Sequence, residues 1–189
     1  MRLSPFHARH QAFAAALQQL RDGRVGESAY GRRIALLLTI PTFDDPVARD
    51  IRRAATGELY VVRTVWRRAL DLASAPRPLP MPGPVRALAL PSLEKILVGR
   101  PTFVATRVDV DVDALDSLLA SLATTTLPCR IQQPEPALDA TIFEVTFGDE
   151  LTETRYRWTA DPPDGWAPLA TFSSMLIRLI DEPAGVPTR

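Results

Sequence analysis

The stretch TIFEVTFGDELTETRYRWTADPPDGWAPLATFSSMLIRLI, from Thr141 to Ile180, carries the pattern that decides the fold. Phe143, Val145 and Phe147 alternate with Ile142, Glu144 and Thr146, the period of a half-buried strand. Gly148-Asp149-Glu150 has turn chemistry. Thr152, Thr154, Tyr156 and Trp158 then face one way, and Glu153, Arg155 and Arg157 the other. The pattern predicts an antiparallel hairpin with one packed face and one solvated, charged face. Such a hairpin is marginal alone and needs a layer to pack on. Asp161-Pro162-Pro163-Asp164-Gly165 ends the strand, because two prolines remove donors. After Trp166 and Pro168, Leu169, Phe172, Leu176 and Leu179 recur at helical spacing. Met175 and Ile180 widen that stripe, while Ser173, Ser174 and Arg178 fall off it. This helix is the expected wall of the core, sealed with Trp158 and Trp166.

Upstream, Ser4-Pro5 starts a helix over 5–21 whose Phe6, His10, Phe13, Leu17 and Leu20 share a face, and Gly23 ends it. Residues 34–40 form a short, almost wholly apolar run stopped by Pro41, which suits a buried strand. From Val47 the pattern fits either a short helix or a strand turning through Ala55-Thr56-Gly57. The hairpin is preferred, because Tyr60, Val61, Val62, Thr64, Val65 and Trp66 favour a pleated surface. Pro76, Pro78, Pro80, Pro82 and Pro84 at every second residue favour a stiff, extended connection. A short helix is expected over 92–98, a strand over 102–108, and a helix over 113–123 with Leu115, Leu118, Leu119 and Leu122 as its stripe, capped by Asp111 or Asp113. The fold class is therefore α+β: a mostly antiparallel sheet with helices packed on one face, forming one domain over residues 1–182 with a frayed tail over 183–189.

Composition narrows function mostly by exclusion. The chain has 189 residues, 46% of them apolar, enough for a sizeable core. The 22 basic and 22 acidic residues balance, so no global field draws it to nucleic acid or anionic lipid. Lys95 is the only lysine, an arginine bias that a GC-rich bacterial genome explains. Cys129 is the only cysteine, which excludes an intrachain disulfide and a cysteine-built zinc site. The first residues show no signal-peptide pattern and no apolar run is long enough to span a bilayer, so a soluble cytoplasmic protein is expected.

No diagnostic catalytic or cofactor motif appears, and the expectation is no metal and no cofactor. Asp109, Asp111 and Asp113 open like a calcium loop, but Ala114 and Ala120 stand where glycine and glutamate are needed. Helix capping explains these acids better. His7 and His10 share a helix without a third ligand. Cys129 lacks a base nearby in sequence and reads as a small buried hydrophobe. Ser173-Ser174 lacks the strand-turn-helix setting of a hydrolase nucleophile. Arg49, Arg52, Arg53, Arg63, Arg67 and Arg68 lie around Tyr60 and Trp66. Ordinary solvated faces explain them first, then a protein partner, and nucleic acid last.

One resemblance adds to this reading. The strand ending Tyr156-Arg157-Trp158, then Pro162-Pro163, Trp166 and the Leu169 helix, resembles the ends of small bacterial proteins, some similar to immunity proteins of polymorphic-toxin systems. The strand from Leu59 through Trp66 has a similar character. The resemblance implies an α+β fold and a role in neutralising a partner, and it assigns no residue. The expected function is therefore a non-catalytic domain that blocks a protein partner sterically, with Tyr60, Arg63, Trp66 and Arg67 as the binding surface. The alternative is a hydrolase-type enzyme whose Asp109, Asp111, Glu144, Glu150 or Glu153 converge in a cleft. A flat exposed Trp/Tyr/Arg patch favours the first; convergent carboxylates favour the second.

Overall fold

A computed structural model describes residues 5–23, 31–73, 101–128, 140–148 and 152–182, with side chains omitted at 5–10 and 72–73. The expected proline-rich connection at 76–84, the helix at 92–98, Cys129, Glu150, the side chains of His7 and His10, and the 183–189 tail lie outside the described residues.

The elements run α1 (Pro5–Asp22), β1 (Arg32–Ile40), β2 (Val47–Arg53), β3 (Leu59–Trp66), α2 (Arg68–Ala73), β4 (Phe103–Val108), α3 (Val112–Ala123), β5 (Ile142–Phe147), β6 (Thr154–Thr159) and α4 (Ala167–Asp181). A single 3-10 turn, Asp164–Trp166, leads into α4. The strands form one antiparallel sheet in the order β4-β3-β2-β1-β5-β6. The α+β class with an antiparallel sheet is thus what the chain adopts. Both hairpins form, and β2 is a strand rather than a helix.

β1 explains the layering. Its Ala35 and Leu37 point into a core built with Ile51, Val61, Val145, Tyr156 and Trp158, closed by Leu115, Leu118 and Leu122 of α3 and Leu169, Phe172 and Leu176 of α4. Its Leu36, Leu38 and Ile40 point the opposite way, into a second core with Ala48, Trp66 and Ala16, Leu17 and Leu20 of α1. A strand that is apolar on both faces must be covered on both. This corrects the expectation that the helices share one face: α3 and α4 lie on one side, and α1 on the other. Each large side chain buried in these cores contributes about 1.5–3 kcal/mol.

The C-terminal wall forms as its spacing predicts. Trp158 stacks on Phe143 with ring centroids 5.5 Å apart, and Trp166 meets Tyr156 edge-on at 5.4 Å. The Trp166 indole N–H donates to the Pro128 carbonyl at 3.0 Å, fixing the chain that follows α3. Gly148 has φ +93°, and a Cβ there would lie 2.4 Å from the Thr152 carbonyl oxygen, so the hairpin demands glycine. Asp111 is the cap of α3, its carboxylate accepting from the amides of Asp113 and Ala114, both at 3.1 Å.

Three local expectations fail for physical reasons. Ser173 is buried rather than off the stripe, because its hydroxyl satisfies itself by donating to the Leu169 carbonyl at 2.8 Å. Met175, expected to widen the stripe, is 52% exposed. Glu144, expected on a solvated face, is 1% exposed because α1 covers that side of the hairpin.

Leu169→Ala should lower stability by about 2–5 kcal/mol in urea unfolding, since the side chain is fully buried between α4 and the sheet. Met175→Ala on the outer side of the same helix should stay within about 0.5 kcal/mol.

Candidate functional site

The four residues expected to form a binding surface do not share one. Trp66 is 0% exposed, packed against Phe13 and Phe103 with its indole N–H donating to Asp71 at 2.8 Å. It fills the core under α1, so it is a structural residue and not an exposed anchor. Tyr60 is also buried on that face, beneath the Arg107 guanidinium, which sits 4.7 Å from its ring. Arg63 projects from the opposite face, where its Nε donates to Asp181 at 2.9 Å. Strand alternation is the reason: Tyr60 and Trp66 occupy even positions and Arg63 an odd one. Arg67, just past β3, is the one exposed member of the set.

Among the described residues, three groups of arginines instead close on a buried or half-buried carboxylate. Arg21 of α1 grips Glu144 with two bonds, Nε–Oε1 at 2.6 Å and Nη2–Oε2 at 2.9 Å, and Arg155 Nε lies 3.6 Å from the same carboxylate. Asp50 is held by Arg33 at 3.0 and 2.9 Å and by Arg52 at 2.9 and 2.7 Å. Asp181, at the end of α4, accepts from Arg49 and Arg63, docking the helix onto β2 and β3. Burial, the largest influence on Asp181, pushes its pKa up; the bonds and charges of Arg49 and Arg63 together outweigh it and hold the carboxyl below its ordinary value.

Two of the acids considered for catalysis are paired with arginine. Glu144 is bound by Arg21, and Glu153 by Arg155. Asp111 caps a helix, and Asp109 is exposed beyond β4. Four strand spacings separate β4 from β5, about 19 Å, so neither aspartate meets Glu144 across the sheet. Among the described residues, no group of three or more His, Cys, Asp or Glu side chains is placed to hold a metal ion. No helix among them is long and apolar enough to cross a membrane.

Two concavities stand out among the described residues. One, of about 530 Å³, lies between α3 and the sheet and is walled by Leu119, Leu122, Leu127, Phe147 and Tyr156. A bulge in β1 between Arg33 and Ala35 turns Ile34 into it. The other, of about 250 Å³, lies over the α1 face and is walled by three arginines, Arg21, Arg33 and Arg155, and two acids, Asp22 and Glu153.

The most exposed large apolar side chains sit elsewhere. Phe43, in the β1–β2 connection, is 77% exposed, and Leu70, on α2, is 61% exposed. Arg68 ties their two segments together: its Nη2 reaches the carbonyls of Pro41 at 3.2 Å, Thr42 at 2.9 Å and Asp44. The Ala69 amide donates to Asp45 at 3.0 Å, and the Thr42 hydroxyl donates to the Ala140 carbonyl at 3.1 Å. Burial lowers the pKa of Arg68 against the pull of Asp45 and Asp44. The loop carrying Phe43 is thus fixed from two sides, and Arg67 stands beside it, 3.8 Å from Asp45. Periodicity gave no sign of this site, because it is made of a loop and a six-residue helix.

Comparison with known protein families, with curated proteins and with solved structures found no match.

Glu144→Ala should destabilise the fold by about 3–5 kcal/mol in denaturant titrations, since it strands the Arg21 guanidinium without its partner. Replacing both, Arg21→Met with Glu144→Leu, should recover most of that loss. An unchanged midpoint for the single variant would show that the pair contributes nothing.

Asp181 has a lowered folded pKa, so its stabilising contribution is complete above the ordinary carboxylate pKa and is lost as pH falls through the folded value. Asp181→Asn should therefore flatten the acid limb of the stability profile while lowering the plateau near neutral pH. Thermal unfolding across pH measures both.

Proposed function

We propose that this chain is a non-catalytic protein-binding domain of the bacterial cytoplasm, acting in an immunity-like way by sterically blocking a partner protein. The observation that carries the reading is the preorganised apolar tip: Phe43 and Leu70 stand exposed on segments fastened together by Arg68, with Arg67 alongside. An aromatic and an arginine on a rigid support are the usual anchors of a protein interface, because little side-chain and loop freedom is lost on binding. Of the expected surface residues only Arg67 belongs to this tip. Trp66 supports it from the core, Tyr60 is buried about 20 Å away at the other end of β3, and Arg63 faces away. The pairing of Glu144 and Glu153 with arginines argues for the binder over the hydrolase, since a general acid or base needs a free carboxyl facing substrate.

The test uses the protein encoded beside this gene as the candidate effector, co-expressed with the wild-type chain or with the Phe43→Ala, Leu70→Ser variant. The wild type should relieve toxicity and bind the purified effector. The variant should unfold at the same temperature as wild type and bind about 10–100-fold more weakly. Equal protection by the variant, or failure of the wild type to bind, would overturn the reading.

A further inference from the structure

Among the described residues β4 and β6 are the outer strands of the sheet, and their chemistry differs. The Arg67 amide donates to the Thr102 carbonyl at 2.8 Å. Alternation along an antiparallel ladder then turns the backbone groups of Val104 and Thr106 toward β3. The N–H and C=O of Phe103, Ala105 and Arg107 point outward, and among the described residues β4 has a strand on one side only. At the other edge the Ala160 amide donates to the Thr141 carbonyl at 3.0 Å, so Arg155, Arg157 and Thr159 turn their backbone groups away from β5.

An open edge invites another strand unless its side chains forbid it. β6 resists its own kind in two registers, although Arg155 also holds Glu153 and lies 3.6 Å from Glu144. A two-fold axis at Arg157 sets that residue against itself, and an axis at Tyr156 sets Arg155 against Arg157. Both place like charges directly opposite, which is destabilising. β4 carries no such guard. With a two-fold axis at Ala105, Ala105 faces Ala105, Phe103 faces Arg107, and Val104 faces Thr106. The one cation in that set, Arg107, is already neutralised by Glu58 at 2.6 Å and drawn over the Tyr60 ring, off the strand edge. Val104 is 43% exposed, an apolar side chain on an edge strand.

We propose that β4 pairs antiparallel with β4 of a second copy of this chain about a two-fold axis at Ala105, joining the two sheets into one continuous sheet. The interface is isologous, and the outward N–H and C=O groups of residues 103, 105 and 107 are satisfied reciprocally across it. One strand pair is a small contact, so the dimer is concentration-dependent. The proposal stands apart from the partner-binding tip.

The test combines sedimentation velocity with register-specific crosslinking, all cysteine variants carrying Cys129→Ser. Wild type should shift from monomer to dimer as concentration rises. Ala105→Pro removes an outward N–H without touching the β3 ladder, and should weaken dimerisation about tenfold or more. Residues 104 and 106 of the two copies form a close, non-hydrogen-bonded pair, the shorter Cα separation of an antiparallel ladder. Val104→Cys mixed with Thr106→Cys should therefore give a disulfide-linked dimer under mild oxidation, and either variant alone should not. A chain that stays monomeric throughout overturns the proposal. So does a dimer that gives no mixed crosslink, or one in which each cysteine variant crosslinks to itself as readily as to the other.

Discussion

The structure depends on β1 being buried on both faces. A run of Ala35, Leu36, Leu37 and Leu38, all at 1% exposure or less, leaves no side of the strand for water. The sheet therefore has to be a middle layer. The three helices that cover it, α1 on one side and α3 with α4 on the other, follow from that demand rather than from any helix–helix preference. The order β4-β3-β2-β1-β5-β6 serves the same end, because the C-terminal hairpin pairs with β1 and not with the last strand of the N-terminal meander.

Burying the second face brings charge inside with it. On the α1 side the apolar core gives way to Asp50 and Glu144, which are 3% and 1% exposed. Neither would be tolerable alone, since an unpaired carboxylate in that setting carries a desolvation penalty of several kcal/mol. Asp50 is gripped by the Arg33 and Arg52 guanidinium groups, Glu144 by the Arg21 fork with Arg155 3.6 Å away, and the Arg21 fork makes Glu144 the contact that fixes the end of α1 against β5. Hydrophobic contact sets that α1 lies on the sheet; the Arg21–Glu144 fork sets where along it. Asp181 does the same for α4 through Arg49 and Arg63. A neutral chain rich in arginine thus spends much of its cationic inventory on internal registry, which is why an arginine count around Trp66 says so little about ligands.

Most of the secondary structure was legible because its periodicities are clean: two-residue alternation in β5 and β6, three-to-four-residue spacing in α3 and α4. What periodicity does not convey is the second layer. Phe13, Leu17 and Leu20 reveal that α1 has an apolar face, but not which side of the sheet receives it. Glu144 alternates with Phe143 and Val145 as a solvated residue would, and only the arrival of Arg21, 123 positions away, makes it internal. Trp66 is buried for the same reason: an indole at the end of a strand reads the same in the sequence whether α1 or solvent lies above it. The exposed site has no sequence signature because Phe43 lies in a loop, where exposure is set by the Arg68 contacts rather than by any repeat.

The distribution of arginine also explains why the molecule's surface is uneven. Where guanidinium groups are committed to buried or half-buried carboxylates, as at Glu144, Asp50 and Asp181, they fix one element against another. Where they reach backbone carbonyls instead, as Arg68 does, they stiffen a loop and leave its apolar side chain outside. Where they stand along an outer strand, as Arg155 and Arg157 do, they keep that edge from meeting its own kind. One residue type therefore fixes the helices, presents Phe43 and guards β6, and the edge it leaves unguarded is β4.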